Sequence, residues 1–448
     1  ANLDYQRFTH QLHSSSQEGK LSCNFLVWGS WSYPLVRIAR TTNQSRICRI
    51  WQWPLSCCSG FEKKTHLKLK SQVLVITNYR PDEQKSMLRF GDLLTGNVTN
   101  TQNCDIQEIY PTSVFEKICP PGRLRKWTSY IDKIILFPKR LKRELLSRKS
   151  PVSLIHIIDH SNAIYLPKLN RITRAKKMIT CHDLIAIRTA REDFAQAPQT
   201  SKSGKRLQNW ISDSLNHADY YACDSRQTRE DLNQLLPLSK ERSSILHLGT
   251  EGDSLTNSDK KALSKALPID PHNTNFLLHV GSAAWYKNRK AVFRSFVHAN
   301  TSLPDLNLKL ILVGPQPQKE ELDNDLKDWV TSNPCAIHTL QNLPENTLGE
   351  LYKYAQALVF PSFIEGFGWP PLEAAVRGCP VITTPTGAIE DLLGNYPIYV
   401  ESENQTSINQ GVMKAFQLGR SNHSAITLPS HEDCRRQYFD LYEQMIAN

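Results

Sequence analysis

The sequence predicts an α/β protein with two doubly wound, mostly parallel sheets facing each other across a cleft. Three observations carry that expectation. The chain has 448 residues, more than one core holds, since single cores stop growing at roughly 250–300 residues. From Gln72 to Val400 short apolar runs of strand length alternate with helical patterns. A polar stretch at about 250–275 interrupts the rhythm, which then restarts, as expected of an interdomain connection.

Taken in order, residues 1–70 hold four of the nine tryptophans (Trp28, Trp31, Trp51, Trp53) without sustained patterning. They are left as an unassigned N-terminal extension, as readily poorly ordered as folded, because unpatterned chain has little to offset its ordering entropy. Residues 71–250 read as a first lobe, with strands at QVLVITN (72–78), LIHIIDH (154–160), KMITCHD (177–183), YYACDS (220–225) and SSILHLG (243–249). SMLRFGDLL and KRLQNWISDSLNHA are helical segments between them. Residues 251–430 read as a second lobe, with strands at FLLHVG (276–281), LKLILVG (308–314), AIHTL (336–340), ALVFPS (357–362), PVITT (380–384) and PIYV (397–400). Helices are expected at RKAVFRSFVHAN, PENTLGELYKYA and PPLEAAVRG, and residues 431–448 as a last helix packing back toward the first lobe. Open parallel sheets bind ligands beyond the carboxyl ends of their strands, so the following loops are where chemistry is sought.

Composition narrows the function classes. Hydrophobic content of 40% and charged content of 22% are globular values, and no stretch approaches the roughly 20 apolar residues of a membrane span. Eleven cysteines without a CxxC pair or a zinc-spaced His/Cys cluster read as reduced thiols in a cytoplasm. The net charge of +11 fits nucleic acid, an anionic membrane surface or a phosphorylated ligand, and its position has to decide.

The most informative segment is S-F-I-E-G-F-G-W-P-P-L-E-A-A-V-R-G, beginning at Ser362, which follows an apolar run and opens a helix. Pro370 and Pro371 suit a first helical turn, where a missing N–H costs nothing, and Gly378 suits the stop. Gly366 and Gly368 let backbone amides approach a ligand closely, with the free N–H groups of a helix start behind them, which makes an anion site. Glu365 and Glu373 flank it, placed to accept hydrogen bonds from sugar and ribose hydroxyls. For Glu373 alone the helix macrodipole is explanation enough; the two carboxylates with glycines between them at a strand-to-helix junction are far more specific.

This run, PSFIEGFGWPPLEA, resembles the motif of retaining glycosyltransferases of family 4, a Glu, seven residues and a second Glu, on the GT-B architecture of two facing Rossmann-like domains. The resemblance implies that Glu365 contacts the transferred sugar, that the amides of Gly366, Phe367 and Gly368 approach sugar and phosphate, and that Glu373 holds the ribose. Upstream, HVGSAAWYKNRKAVFRSFVHA resembles the family's phosphate-binding loop and implies donor contacts at Gly281, Ser282, Lys287 and Asn288, with Lys287 neutralising the diphosphate. Many members carry an Arg where Ser282 stands; half of the cationic clamp is missing here, and Arg289 is a candidate substitute. Gly314 and Pro315 resemble the nucleotide-base contact.

In the first lobe, TCHDL puts His182 and Asp183 at a strand end. A lone histidine there is more often structural, but the resemblance implies His182 near the reacting centre, with Glu365 and Lys287 as the other catalytic residues. Asp183, His160 in IIDHSN, and Asn78, Gln84 and Ser86 in TNYRPDEQKSM are acceptor-side candidates, although the last segment departs from the Gly-rich acceptor loop of many members. Residues 122–150 concentrate Lys and Arg around apolar and aromatic residues, a pattern that suits an anionic membrane surface and a solvated helix face equally. No nucleic-acid motif is present, so no nucleic-acid partner is expected.

The resulting expectation is a cytoplasmic enzyme, peripheral at the inner membrane face in one reading. It would move a mannose- or glucose-type hexose from a GDP- or UDP-linked sugar to a glycan or lipid-linked acceptor, in cell-envelope or exopolysaccharide synthesis. The nucleotide sugar is a co-substrate, and neither metal nor other cofactor is expected. A non-catalytic nucleotide-sugar-binding relative, and an epimerase or phosphorylase on the same architecture, stand as alternatives.

Overall fold

Of the N-terminal segment, the computed structural model describes one antiparallel hairpin, β1 (Phe25–Trp28) and β2 (Trp31–Pro34), with Trp28 opposite Trp31. Beyond it the described residues are 70–96, 103–115, 128–237, 242–250, 267–419 and 424–447. The rest of the unassigned extension, most of the polar connection and residues 122–127 of the basic stretch lie outside them.

Strands β3 (Ser71–Ile76), β4 (Cys104–Ile109), β5 (Val152–Ile157), β6 (Lys176–Cys181), β7 (Tyr220–Cys223) and β8 (Ser243–Ile245) form one parallel sheet in the order β4-β3-β5-β6-β7-β8. Central strands of such a sheet are covered on both faces, which demands unbroken apolar runs. Accordingly Val73 through Ile76 and Leu154, Ile155 and Ile157 are all buried. Strand β4 is absent from the sequence reading. It lies at the sheet edge, and its apolar Cys104, Ile106 and Ile109 are separated by Asp105, Gln107 and Glu108.

Strands β9 (Phe276–Val280), β10 (Lys309–Val313), β11 (Ile337–Leu340), β12 (Ala357–Phe360), β13 (Val381–Thr383) and β14 (Ile398–Tyr399) form the second sheet, also parallel, in the order β11-β10-β9-β12-β13-β14. The fold is thus the expected pair of doubly wound α/β sheets. The winding reverses between β3 and β5 in the first sheet and between β9 and β12 in the second, and such switch points open ligand crevices.

The helix His431–Ala447 lies against the first sheet. Tyr442 Oη is 2.6 Å from His156 Nδ1, and the other ring nitrogen is 2.8 Å from Thr180 Oγ1, itself 3.3 Å from Tyr438 Oη. Burial holds His156 neutral, lowering its pKa to about 3. One continuous apolar cluster takes Val73 and Phe90 from the first lobe, Leu278 and Phe360 from the second, and Tyr438 from this helix. Among the described residues no helix is long and apolar enough to cross a membrane.

Candidate functional site

The loops after β9 and β12, adjacent strands at the second switch point, bring the two leading candidates together. Lys287 ends a short 3-10 turn, Trp285–Lys287, and its Nζ lies 2.9 Å from both carboxylate oxygens of Glu365. Both side chains are largely buried, at 12% and 7% exposure. Asn288 fixes the turn: it adopts φ 52, which Asn tolerates better than most residues, and its amide donates to the carbonyls of Pro361 and Ser402. Gly281 and Gly314 are in backbone contact, since a Cβ on Gly314 would sit 2.0 Å from the Gly281 carbonyl oxygen.

Ser282 is exposed, and its hydroxyl accepts only a long bond, 3.4 Å, from the Ala284 amide. Arg289, the candidate replacement cation, is buried with one N–H donating to the Pro315 carbonyl at 3.0 Å and Nε 3.2 Å from Glu321. It ties together the loops after β9 and β10, and Glu321 offsets its charge.

Gly366 meets the first lobe directly. A Cβ at this position would lie 2.1 Å from the His182 carbonyl oxygen and 2.9 Å from Asp183 Cβ. Phe367 is buried, and Gly368, at φ 89, precedes the helix Trp369–Ala375 with Pro370 and Pro371 in its first turn. Glu373 on that helix accepts from Arg89 Nη1 at 2.9 Å and from Tyr352 Oη at 3.1 Å. Arg89 belongs to the first-lobe helix Lys85–Thr95, and its guanidinium stacks over Trp369 at 4.4 Å.

His182, just beyond β6, is buried between Asp224 Oδ2 at 2.5 Å from Nδ1 and the Ile158 carbonyl at 2.8 Å from Nε2. Both partners accept, so both ring nitrogens donate. Burial alone would lower the pKa of the ring; the Asp224 carboxylate outweighs it and raises it to about 9. The ring is therefore a fixed cation beside the cleft. Asp183 turns toward its own chain, accepting from the Ile185 amide at 3.0 Å.

Three of the acceptor-side candidates share one network around Asp159, at the first switch point. Asn78 donates to Gln84 at 2.7 Å and to Asp159 at 2.6 Å, while Asn162 donates back to Asn78 at 2.9 Å. His160 Nδ1 stands 3.4 Å from Asp159. Burial works to raise the pKa of Asp159, but His160, His182 and bonds from Ser161 and Asn78 prevail and hold the carboxylate ionised. Ser86 is exposed and outside this network.

Sequence reasoning missed Asp159, Asp224 and Arg89. The two aspartates follow apolar runs just as His182 does, and that position was their available signal. Arg89 sits within an ordinary amphipathic helix and carried none.

Residues 260–427 match the family model described as glycosyl transferases group 1. Similar proteins include the O-antigen chain mannosyltransferase RfbU of Salmonella typhimurium, 31% identical over 39% of this chain and 46% of its own length. Another is O-antigen chain mannosyltransferase B of Escherichia coli, 25% identical over 58% of this chain and 65% of its own. The chain thus spans about half to two thirds of these two relatives. Among solved structures, sucrose-phosphate synthase from Thermosynechococcus elongatus superposes with a TM-score of 0.60 at 16% identity, covering 84% of this chain and all of that one. The Anabaena protein HepE, in complex with UDP and glucose, superposes at 0.57 and 13% identity, over 83% and 99%. The fold is GT-B, and the lobe that carries Lys287, Glu365 and Glu373 matches the group 1 glycosyl transferases.

Proposed function

We propose that the protein is a retaining glycosyltransferase of the family 4 type. It would transfer a mannose- or glucose-type hexose from a GDP- or UDP-linked donor to a glycan or lipid-linked acceptor in envelope or exopolysaccharide synthesis. The observation that carries this reading is the buried Lys287–Glu365 pair beside Gly366, whose backbone meets the His182 carbonyl of the first lobe. The mannosyltransferase relatives, and a GT-B neighbour that holds UDP and glucose, support the donor class.

In this reading the incoming diphosphate takes Lys287 as its counter-ion, and Glu365, released from the pair, accepts hydroxyl protons of the sugar. The amides of Gly366 to Gly368 receive phosphate and sugar oxygens, and Glu373 receives the ribose. The bond from the anomeric carbon to the phosphate oxygen breaks as a bond to the acceptor oxygen forms on the same face, and the acceptor proton passes to the leaving phosphate. That route uses neither an enzymic nucleophile nor a resident metal. His182 keeps its proton in the pair with Asp224, and the Asp159 network lines the acceptor side. The protein works in the cytoplasm, with the described part of the basic stretch, 128–150, turned to the inner membrane face.

Calorimetric titration with GDP, UDP, ADP and their sugars, with Glu373→Ala as control, tests the donor class. One nucleotide should bind and weaken in the control; binding of none would overturn the reading. Glu365→Ala and Lys287→Ala should each lower turnover about 10²–10³-fold, and near-normal rates in either purified variant would remove that residue from the mechanism. Exposed Ser282 and charge-compensated Arg289 favour a second reading, a nucleotide-sugar-binding protein without turnover, which would bind donor yet neither hydrolyse nor transfer it.

A further inference from the structure

The two glutamates of the loop and helix after β12 are held in different ways. Glu365 takes both of its bonds from Lys287 of its own lobe, at 2.9 Å. Glu373 takes one from the opposite lobe: Arg89 Nη1 donates to Oε1 at 2.9 Å, while Tyr352 Oη donates to Oε2 at 3.1 Å. Burial and the Glu373 charge push the pKa of the Tyr352 phenol well up, so it stays a donor.

Local sequence explains how Arg89 comes to be there. Phe90 and Leu94, one helical turn apart and both buried, seat the helix Lys85–Thr95 on the first lobe, and Phe90 stands edge-on to the His182 ring with centroids 4.9 Å apart. On the facing helix Trp369 and Glu373 are four residues apart and share a face. One guanidinium covers both, stacking over Trp369 while Nη1 reaches the carboxylate. Its other contacts are longer: Nη2 lies 3.3 Å from His431 Nε2, and Nε lies 3.7 Å from Glu345. Glu345 is largely exposed, so that pair contributes little. Glu373 is 14% exposed, which makes its charge-assisted bond the strong one.

A carboxylate accepts about four hydrogen bonds, two at each oxygen. Among the described residues Arg89 and Tyr352 are the donors to Glu373, one at each oxygen, which leaves one lone pair free on each. Two neighbouring acceptors in one plane match the two hydroxyls of a vicinal diol, and the ribose of a nucleotide carries such a diol at its 2′ and 3′ carbons. Without its two donors the carboxylate would turn about its last bond, a broad torsion, and present that pair in no fixed direction.

We propose that Arg89 is a positioning residue for the donor nucleotide: reaching across from the first lobe, it fixes the plane of the Glu373 carboxylate so that the free lone pairs meet the vicinal hydroxyls of the ribose. This rests on the transferase reading for the role of Glu373. It adds that the first lobe takes part in holding a nucleotide whose other contacts lie on the second.

The test is calorimetry on the full chain with GDP and UDP, each compared with its 2′,3′-dideoxy form. The wild type should prefer the ribonucleotide by about tenfold or more, the loss expected when hydrogen bonds to a charged group are removed. Arg89→Met keeps an apolar stem over Trp369 and removes the donor. It should weaken the ribonucleotide about tenfold and leave the dideoxynucleotide nearly unchanged, which abolishes the preference. Arg89→Lys, which still offers one cationic donor, should stand between the two. The preference is a ratio measured on one protein, so an unfolded fraction in any variant lowers both affinities alike and cancels.

A wild-type preference in Arg89→Met would overturn the proposal and make the contact an ordinary tie between lobes. Tighter ribonucleotide binding by Arg89→Met would overturn it as well, because Arg89 would then be competing with the ribose for Glu373. A wild type that binds a nucleotide without distinguishing it from the dideoxy form would remove the ribose from Glu373 and this proposal with it, leaving the donor class standing. Binding of no nucleotide by the wild type would overturn the transferase reading itself, and the role of Arg89 would fall with it.

Discussion

His182 donates from both ring nitrogens because the Asp224 carboxylate and the Ile158 carbonyl each require a donor. Its pKa near 9 exceeds the ordinary 6.5, so the folded state holds this proton more tightly than the unfolded chain. The stabilisation is complete below pH 6.5 and disappears as pH rises through 9, at about 1.4 kcal/mol per pH unit in between. His156 and His279 run the opposite way: burial lowers both to about 3, so their contribution is complete above 6.5 and is lost as pH falls. From these three residues, denaturant midpoints should peak near pH 6.5, and His182→Gln should flatten the alkaline limb alone. Gly366 is a second case, where a methyl group would meet the His182 carbonyl oxygen at 2.1 Å. Gly366→Ala should lower turnover at least tenfold while each lobe keeps its core, measured as kcat against an unchanged far-UV spectrum. The glycines and glutamates of this loop were legible because a short stretch of sequence carries them. Asp224 and Arg89 were not, because their partners stand 42 and 284 residues away.

Most elements were legible for a related reason. A strand covered on both faces must be apolar throughout, and β3, β5, β9 and β12 advertise themselves that way, whereas the edge strand β4 does not. The polar interior was invisible at this scale. Nothing in the periodicity of His431–Ala447 announces that Tyr442 closes a hydrogen bond on His156. Tyr442→Phe leaves that buried ring nitrogen without a partner, and the expected loss of stability is about 1–3 kcal/mol, measured by urea denaturation. Unchanged stability would mean that the ring finds another partner.

At the scale of the whole molecule, residues 68–448 form one compact unit, and several polar contacts join its two lobes. Arg226 meets Asp391 at 2.7 Å, Gln227 accepts from the Gly387 amide at 2.9 Å, and Lys85 donates to Asn342 at 2.9 Å. Arg226 is largely exposed, so its ion pair contributes little to stability, but it helps to set the angle of the cleft. The double variant Arg226→Ala/Gln227→Ala should increase the radius of gyration in solution scattering with little change in melting temperature. An unchanged radius would assign lobe orientation to the shared apolar cluster instead. The two-lobe plan was readable from the restart of the strand rhythm, while the contacts that set the lobes' approach join loops far apart in sequence and left no local trace.

The seating of Tyr438 and Tyr442 against β5 and β6 also has a consequence during translation. The first lobe is made early, yet the residues that fill this part of its core follow the whole second lobe, a delay of roughly 10–40 s at ordinary elongation rates. Through that interval the nascent first lobe presents an uncovered apolar groove and a His156 without its Tyr442 partner, while the strands of the second sheet are complete by Tyr399. Ribosome-bound chains stalled before His431 should therefore be cut by protease within the first lobe and spared within the second, an order of maturation opposite to the order of synthesis.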